Sequence, residues 1–151
     1  MSMLTQEEAN VFINSLKRLL SEPALEFPNP WKKLMLECKD GKNNKYAIDI
    51  VRGRQKPSKA TYQTRYNKAT VLIRVDIDGP PHDNPDGEEI PCPHIHIYRE
   101  GFEDKWAYPL GKEMATNPED LIQVLIDFLA YTNISNMHEI NIQGGDLLDG
   151  S

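Results

Sequence analysis

Alternation of apolar and polar residues in two stretches constrains the fold of this chain more than any other feature. Between residues 71 and 78 an apolar side chain occupies every second position, and residues 94–98, His-Ile-His-Ile-Tyr, repeat the pattern. Successive side chains of a strand point to opposite faces of a sheet, so each stretch predicts a strand buried on one side only. The first stretch has the clearer alternation and is predicted to be a central strand.

The same alternation predicts which side chains share a face. The core face of the first strand is expected to carry Val71, Ile73, Val75 and Ile77. Its other face is expected to carry Leu72, Arg74, Asp76 and Asp78. The second strand should place Ile95 and Ile97 in the core and its polar side chains together on the other face: His94, His96 and Tyr98. If the two strands are neighbours, their polar side chains form one cluster over the middle of the sheet.

Two amphipathic helices are predicted, one near each end of the chain. Residues 5–8, Thr-Gln-Glu-Glu, form a capping box, and apolar residues at helical spacing extend this helix to about Leu20. Asn117 and Pro118 mark the start of the second helix. With further strands predicted before and after the two described above, the expected fold class is α+β. It is an antiparallel meander sheet of about five to six strands, with the N-terminal and C-terminal helices packed on one face.

Length and composition predict one soluble domain. We expect a single α+β domain over residues 1–143, followed by a flexible C-terminal tail, residues 144–151. No apolar run approaches the roughly 20 residues that cross a bilayer, and the N-terminus lacks the features of a signal peptide. Only two cysteines are present, Cys38 and Cys92, which fits a reducing compartment. A cytoplasmic protein without membrane contact is expected.

Two further segments carry their own expectations. Residues 79–92 are rich in proline and acidic residues, and a connection of this length without structure of its own is usually functional or mobile. A short extended piece, residues 138–142, is predicted to add an edge strand.

Charge is distributed unevenly along the chain. Residues 41–75 contain nine Lys and Arg against a single acid, Asp49, so this segment carries +8 and the remainder −14. Such a basic face can guide an anionic polymer to one surface of an acidic protein. The nucleic-acid-binding candidates are Arg52, Arg54, Lys56, Lys59 and Arg65. The alternative is that these residues only solvate strand edges, where positive charge discourages edge pairing.

Three kinds of chemistry fit the predicted polar cluster. Metal-independent RNA cleavage needs a base, an acid and a cation, which His94, His96 and Arg74 supply, with Tyr98 beside them as a fourth candidate. No cofactor is then expected. Alternatively, His-x-His has metal-ligand spacing, and a divalent metal shell could be completed by His82, Asp76, Asp78 or Cys92. The third interpretation is that the histidines perform no chemistry and belong to a binding surface or a hydrogen-bonded scaffold.

A resemblance to known families rests on the same residues. The run PHIHIYREGF at residues 93–102, followed by residues 104–110 and a helix ending in Asp-Phe-Leu, resembles an uncharacterised family of small bacterial and phage proteins. The order Arg74, Asp76, Pro81-His82, Pro93-His94 and His96 before a closing amphipathic helix is similar, more distantly, to TumE-like toxins of toxin–antitoxin pairs. This second resemblance implies an endoribonuclease-type toxin that attacks RNA or translation and is neutralised by a cognate antitoxin protein.

A rival hypothesis comes from the acidic remainder of the chain. A small acidic phage protein can act by binding alone, presenting carboxylates where a host defence protein expects phosphates. The acidic residues between Asp83 and Glu89 would suit this anti-defence, anti-CRISPR type of role. The His-x-His strand would then serve as scaffold, and the partner would be a host defence protein instead of RNA.

Overall fold

A computed structural model describes residues 3–20 and 23–144. The helices are α1 (Gln6–Asn14), α2 (Leu110–Glu113) and α3 (Leu121–Tyr131), and a 3₁₀ turn spans Met137–Glu139. The first six strands are β1 (Lys17–Leu19), β2 (Ala24–Glu26), β3 (Lys33–Asp40), β4 (Lys45–Arg52), β5 (Ala60–Tyr66) and β6 (Thr70–Ile77). The remaining strands are β7 (His82–Asp83), β8 (Glu89–Ile90), β9 (His94–Ile97), β10 (Ala107–Pro109) and β11 (Asn141–Gln143).

A seven-stranded antiparallel sheet forms the body of the protein. Its strand order is β1-β3-β4-β5-β6-β9-β10, so β3 to β6 form a meander and β9 pairs directly with β6. Two small sheets accompany it, β11 with β2 and β7 with β8. The predicted α+β meander is confirmed, with one or two strands more than the sequence indicated.

Both main helices cover the same face of this sheet, as predicted. Phe12 of α1 stacks on Tyr66 of β5 with ring centroids 4.0 Å apart. Tyr62, also on β5, donates its hydroxyl hydrogen to Leu121 O at the start of α3 and packs near Phe128. The core lies between the helices and this face. No helix in the described part of the chain is long and apolar enough to cross a membrane.

The first helix is shorter than its apolar spacing predicts. It begins with the expected capping box at Thr5 but ends at Asn14, and Lys17–Leu19 form the edge strand β1 instead of a last helical turn. The Lys17 ammonium is buried and donates to the carbonyls of Ile13, Ser15 and Thr132. Burial lowers its pKa to about 8. The bond to Thr132 joins residues 115 positions apart, a contact that helical spacing alone does not reveal.

The C-terminal edge strand is also displaced from its predicted position. Residues 137–139 form the 3₁₀ turn, and β11 pairs in parallel with β2 outside the main sheet. Except for Gly144, the predicted flexible tail lies outside the described residues.

A β-bulge at Leu72 corrects the predicted faces of β6. The pairing passes from Thr64 opposite Ile73 to Arg65 opposite Val71, which leaves Leu72 as the extra residue. Leu72 is buried in the core, whereas Val71 is only half-buried. The predicted faces of these two residues are therefore exchanged. Beyond the bulge, from Ile73 to Ile77, the predicted alternation holds.

Residues 79–92 form a short hairpin instead of an unstructured loop. Strand β7 pairs with β8 through His82 with Ile90 and Asp83 with Glu89. Asn84 ties the hairpin to the sheet edge, since its side-chain amide donates to Ala107 O (2.9 Å) and accepts from Ala107 N (2.8 Å). The sheet face opposite the helices is therefore covered where the hairpin lies.

Candidate functional site

The pairing of β6 with β9 assembles the predicted polar cluster. Arg74 lies opposite His96, and Asp76 lies opposite His94. Ile95, between the two histidines, is fully buried in the core. Each strand thus directs its polar side chains to the face away from α1 and α3, as the alternation predicts. The two rings are nevertheless buried, with His94 2% and His96 1% exposed.

Asp76 is the centre of this cluster. Its Oδ2 lies 3.0 Å from His94 Nε2 and 3.2 Å from His96 Nε2, and its Oδ1 accepts from the Thr61 hydroxyl at 3.0 Å. Burial alone would raise the pKa of this carboxyl. The two imidazole hydrogen bonds and the charge of Arg74 outweigh burial and hold the pKa well below its ordinary value. Asp76 is therefore a fixed negative charge beneath the two rings.

Arg74 connects this centre to Asp104, a residue the sequence did not single out. Its Nη1 lies 2.5 Å from Asp104 Oδ2, its Nη2 3.1 Å from His96 Nε2 and its Nε 3.6 Å from Asp76 Oδ2. Asp104 lies in the turn between β9 and β10, so neither strand pattern predicts its position. The guanidinium is fixed from three sides.

The partners of His96 decide where its protons lie. Its Nδ1 is 2.8 Å from Asp104 O, a carbonyl that only accepts, so Nδ1 carries a hydrogen. Its Nε2 lies 3.1 Å from Arg74 Nη2, which can only donate, and 3.2 Å from the Asp76 carboxylate, which can only accept. Two carboxylates, Asp76 and Asp104, face the one guanidinium of Arg74.

His94 has one ring nitrogen without a partner. Its Nε2 is directed to Asp76, whereas Nδ1 is buried and makes no hydrogen bond within the described residues. A buried polar atom without a partner is costly, and one at a candidate site is available for chemistry. Nδ1 is therefore the ring atom of His94 that is open to a further partner.

His82 joins the cluster from the hairpin. Its ring centroid lies 4.6 Å from that of His96 and 6.0 Å from that of His94. Its Nε2 faces Lys105 O at 2.8 Å and so carries the hydrogen, which leaves the Nδ1 lone pair available. The sequence placed His82 among the metal-ligand alternatives and in the residue order that resembles TumE-like toxins. The signal that locates it is the hairpin connection, because residues 79–92 leave β6 and return at β9, beside the same two strands.

A cleft of about 270 Å³ opens over these side chains. His82, His94, His96, Arg74 and Asp76 line its inner part, and Lys59 lies near Gly79 at its wall. This volume is near the lower limit of small-ligand pockets, which suits a single phosphate with the groups beside it.

A larger and mainly apolar cavity of about 760 Å³ adjoins the cleft at Ile77. Its lining includes Phe27, Arg52 and Cys92 but none of the three clustered histidines. The three clustered histidines therefore line the smaller cleft and not the larger cavity.

The metal alternative fits this geometry less well. One ligand atom each from Asp76, His94 and His96 lies within 4.8 Å of the others, a spacing that could hold a cation. However, the Arg74 guanidinium already contacts His96 Nε2 and Asp76 with its positive charge. Metal-bound histidines usually donate their second nitrogen to an acceptor, and His94 Nδ1 has none in the described part of the chain. These contacts favour proton transfer over metal binding.

The other predicted metal ligands are engaged elsewhere. Asp78 contacts the Ser58 hydroxyl and the Lys56 ammonium. The Cys92 thiol donates to Asp76 O and accepts from Gly79 N, and burial raises its pKa.

Tyr98 does not join the histidines, which corrects its predicted role. Strand β9 ends at Ile97, and Tyr98 N donates to Leu72 O at the bulge. The Tyr98 ring is buried in the core, and its hydroxyl donates to Leu4 O at 2.6 Å, just before α1. The bulge ends the regular alternation, so position 98 belongs to the helix-covered side.

The five basic candidates divide into structural and exposed residues. Arg65 forms a two-pronged ion pair with Asp49, at 2.6 and 2.9 Å. Arg52 donates to the carbonyls of Pro28 and Pro57, and Lys56 pairs with Asp78 at 3.2 Å. Arg54 lies over the Trp31 ring, and Lys59 lines the cleft. Only Arg54 and Lys59 are thus positioned for an external anion, on the side of the cleft formed by residues 53–59.

The chain belongs to a family of unknown function (DUF6978), whose model matches residues 4–134. This range includes the whole histidine cluster. No curated protein and no solved structure matches the chain.

Proposed function

We propose, for this member of a family of unknown function, that it is a metal-independent endoribonuclease. The observation that carries the proposal is the grouping of three imidazoles and one guanidinium around a single cleft, with Asp76 as the common anion of His94, His96 and Arg74. Acid–base cleavage of RNA needs a proton acceptor, a proton donor and a cation for the phosphorane, and nothing else. The cleft supplies all three from protein side chains.

The hydrogen-bond partners of two rings support the following proton transfers. His82 Nδ1 accepts the proton of a ribose 2′-hydroxyl, because its Nε2 hydrogen is donated to Lys105 O. The 2′-oxygen bonds to phosphorus while the bond from phosphorus to the 5′-oxygen breaks. The His94 imidazolium, held through Nε2 by Asp76, gives its Nδ1 proton to the departing oxygen. The products are a 2′,3′-cyclic phosphate and a 5′-hydroxyl, and protons balance without a metal.

Arg74 and Lys59 supply the positive charge in this mechanism. Arg74 is held by Asp104, Asp76 and His96, so it stabilises phosphorane charge without having to reorganise. Lys59 lies at the cleft wall and meets the phosphate on entry. Because His94 Nδ1 is buried, substrate entry has to shift part of its cover, and the hairpin that carries His82 is the neighbouring element.

Cleavage of labelled RNA by the purified protein in EDTA tests this function. The parent should produce fragments with cyclic phosphate ends and leave DNA of the same sequence intact. His82→Ala, His94→Ala and His96→Ala should each slow cleavage by roughly 10² to 10⁴. His138→Ala is the matched control, because that side chain is 78% exposed and lies outside the cleft. Intact RNA after incubation with the folded parent would contradict the proposal.

We assign this activity to the toxin of a bacterial or phage toxin–antitoxin or defence module, acting in the cytoplasm and neutralised by a cognate antitoxin protein. The support is the resemblance of the Arg74, Asp76, His82, His94 and His96 order to TumE-like toxins. Induction of the gene in bacteria should arrest growth and degrade RNA, and the His94→Ala variant should do neither. Normal growth together with RNA cleavage in vitro would contradict the toxin role but would leave the endoribonuclease proposal intact.

The hairpin supports a second candidate, a non-enzymatic inhibitor of a host defence protein. Four acids on it are exposed: Asp83, Asp86, Glu88 and Glu89. Such a surface presents carboxylates to a basic protein groove. Under this alternative the histidine variants keep full activity, and reversal of these four charges abolishes it.

A further inference from the structure

Trp31 occupies an unusual position for an aromatic residue. The residue is 66% exposed, and its backbone has a φ of 78°, a left-handed conformation that bulky residues rarely adopt. Such outliers persist only when surrounding contacts hold them, and they concentrate at functional positions. Here Trp31 N donates to Gly53 O, which fixes the residue beside the loop between β4 and β5. The structure therefore maintains an exposed indole that the core does not use.

The positive charge beside this indole comes from the same loop. The Arg54 guanidinium lies over the Trp31 ring, 5.4 Å from its centroid. An exposed aromatic ring with an arginine beside it is the arrangement on which single-stranded nucleic acids stack their bases, because every base offers a π-face.

A backbone connection joins Trp31 to the histidine cleft. Gly53 accepts from Trp31 N and donates its own N–H to Lys59 O at 2.8 Å. A Cβ at Gly53 would lie 2.8 Å from both Lys56 O and Lys59 Cβ, so this close approach needs glycine. Lys59 in turn lines the cleft that holds the histidines. The loop that carries Arg54 and Lys59 therefore connects Trp31 to the cleft.

The opposite side of the cleft is unsuitable for an anionic polymer. The hairpin on that side exposes four carboxylates, while the loop side exposes Arg54 and Lys59. Charge therefore selects the approach from the loop.

We propose that Trp31, Arg54 and Lys59 form a track that binds single-stranded RNA next to the cleft, with one base stacked on Trp31. This inference rests on the proposed nuclease function and specifies its substrate as unpaired RNA. Three strand spacings of about 4.8 Å separate Trp31 from the end of β6. At about 3.4 Å per stacked nucleotide, no more than about four nucleotides lie between the stacked base and the cut bond.

Fluorescence and binding with 2′-O-methyl oligonucleotides test this track, because that sugar prevents cleavage. The only other tryptophan is Trp106, so a Trp106→Phe protein reports on Trp31 alone. Oligonucleotides of two to eight nucleotides should quench its fluorescence, with affinity rising until the length spans the track. Trp31→Ala should weaken binding roughly 5- to 100-fold, as expected for a lost base stack, and Trp31→Phe should restore most of it. Duplex RNA should bind more weakly than the single strand.

The outcomes separate this inference from the nuclease assignment. Cleavage at saturating RNA should be unchanged in Trp31→Ala, with the loss confined to KM. Normal RNA affinity in Trp31→Ala, while the parent cleaves RNA, overturns the track and leaves the nuclease. Binding that depends on Trp31 without any cleavage overturns the nuclease and leaves the track. A parent that binds no RNA at low salt overturns both and favours a protein partner.

Discussion

The Arg74 guanidinium and the His96 imidazole meet across the β6–β9 pair, with Nη2 3.1 Å from Nε2. A cation beside an imidazole is tolerated here because Asp76 and Asp104 lie on either side of the guanidinium. The strand pairing itself sets this contact, since Arg74 and His96 are register partners. In the proposed mechanism, Arg74 therefore acts beside the His96 ring as well as at the phosphate.

Replacement of Arg74 should impair turnover more than binding. Arg74→Lys keeps a positive charge but cannot contact Asp104, Asp76 and His96 together, so the cleavage rate constant should fall roughly 10²- to 10³-fold. The RNA dissociation constant should change less than about threefold. Single-turnover cleavage and a filter-binding titration measure the two quantities. The control is Arg65→Lys, whose guanidinium pairs with Asp49. Equal losses in both variants would contradict this role.

Stability at low pH should depend on Asp76. The pKa of Asp76 is lowered in the folded protein. Its contribution to the free energy of unfolding is therefore fully present above the ordinary carboxyl pKa of about 4. Below that pH the unfolded chain takes up the proton first, and stability falls by up to about 1.4 kcal/mol per pH unit. Urea unfolding at pH 5, 4 and 3 should show a weaker pH dependence for Asp76→Asn than for the parent. Asp83→Asn, at an exposed position, should retain the pH dependence of the parent. An identical pH dependence of the unfolding free energy in all three proteins would contradict this role of Asp76.

Tyr98 should matter for stability and not for cleavage. Tyr98→Phe removes the hydrogen bond to Leu4 O and little else, which should cost about 1 kcal/mol of unfolding free energy. Chemical denaturation measures this loss, and RNA cleavage should proceed at the parent rate. A large drop in the cleavage rate with unchanged stability would instead indicate that Tyr98 takes part in cleavage.

The hairpin should depend on Asn84. Its amide pairs with both backbone groups of Ala107, so Asn84→Ala leaves two buried groups unsatisfied and should cost about 2 kcal/mol or more. Limited proteolysis should then cut the hairpin near residues 85–88 faster than in the parent. Asn84→Asp keeps the acceptor for Ala107 N, so its rate of proteolysis should lie between those of the parent and Asn84→Ala. Unchanged protection of the hairpin in Asn84→Ala would show that other contacts hold it.

Local sequence patterns predicted the parts of the site that depend only on strand alternation. The positions of Arg74, Asp76, His94 and His96 follow from a period of two within each strand. Val71 and Tyr98 were misplaced because the bulge at Leu72 arises from pairing with β5, which no pattern inside β6 records. The end of α1 was missed for a similar reason, since Leu16 fits a helical stripe but is 68% exposed.

The remaining site residues could be found only from the folded chain. Asp104 reaches Arg74 from a turn 30 residues away, and Asn84 reaches Ala107 across 23 residues. Neither residue lies in a periodic stretch, so sequence spacing carries no information about its partner. The position of His82 is partly predictable from the sequence, because the segment that carries it, residues 79–92, leaves β6 and returns at β9.

The antiparallel pairing of β6 with β9 also determines how the site can change over evolution. Insertions or deletions between residues 79 and 92 leave the pairs Arg74–His96 and Asp76–His94 facing each other, whereas one residue inserted within either strand separates them. Diverged members of the family that keep the chemistry are therefore expected to retain an Arg-x-Asp and a His-x-His element at variable separation. A homology search that allows a gap of free length between these two elements should find such members more readily than overall similarity does.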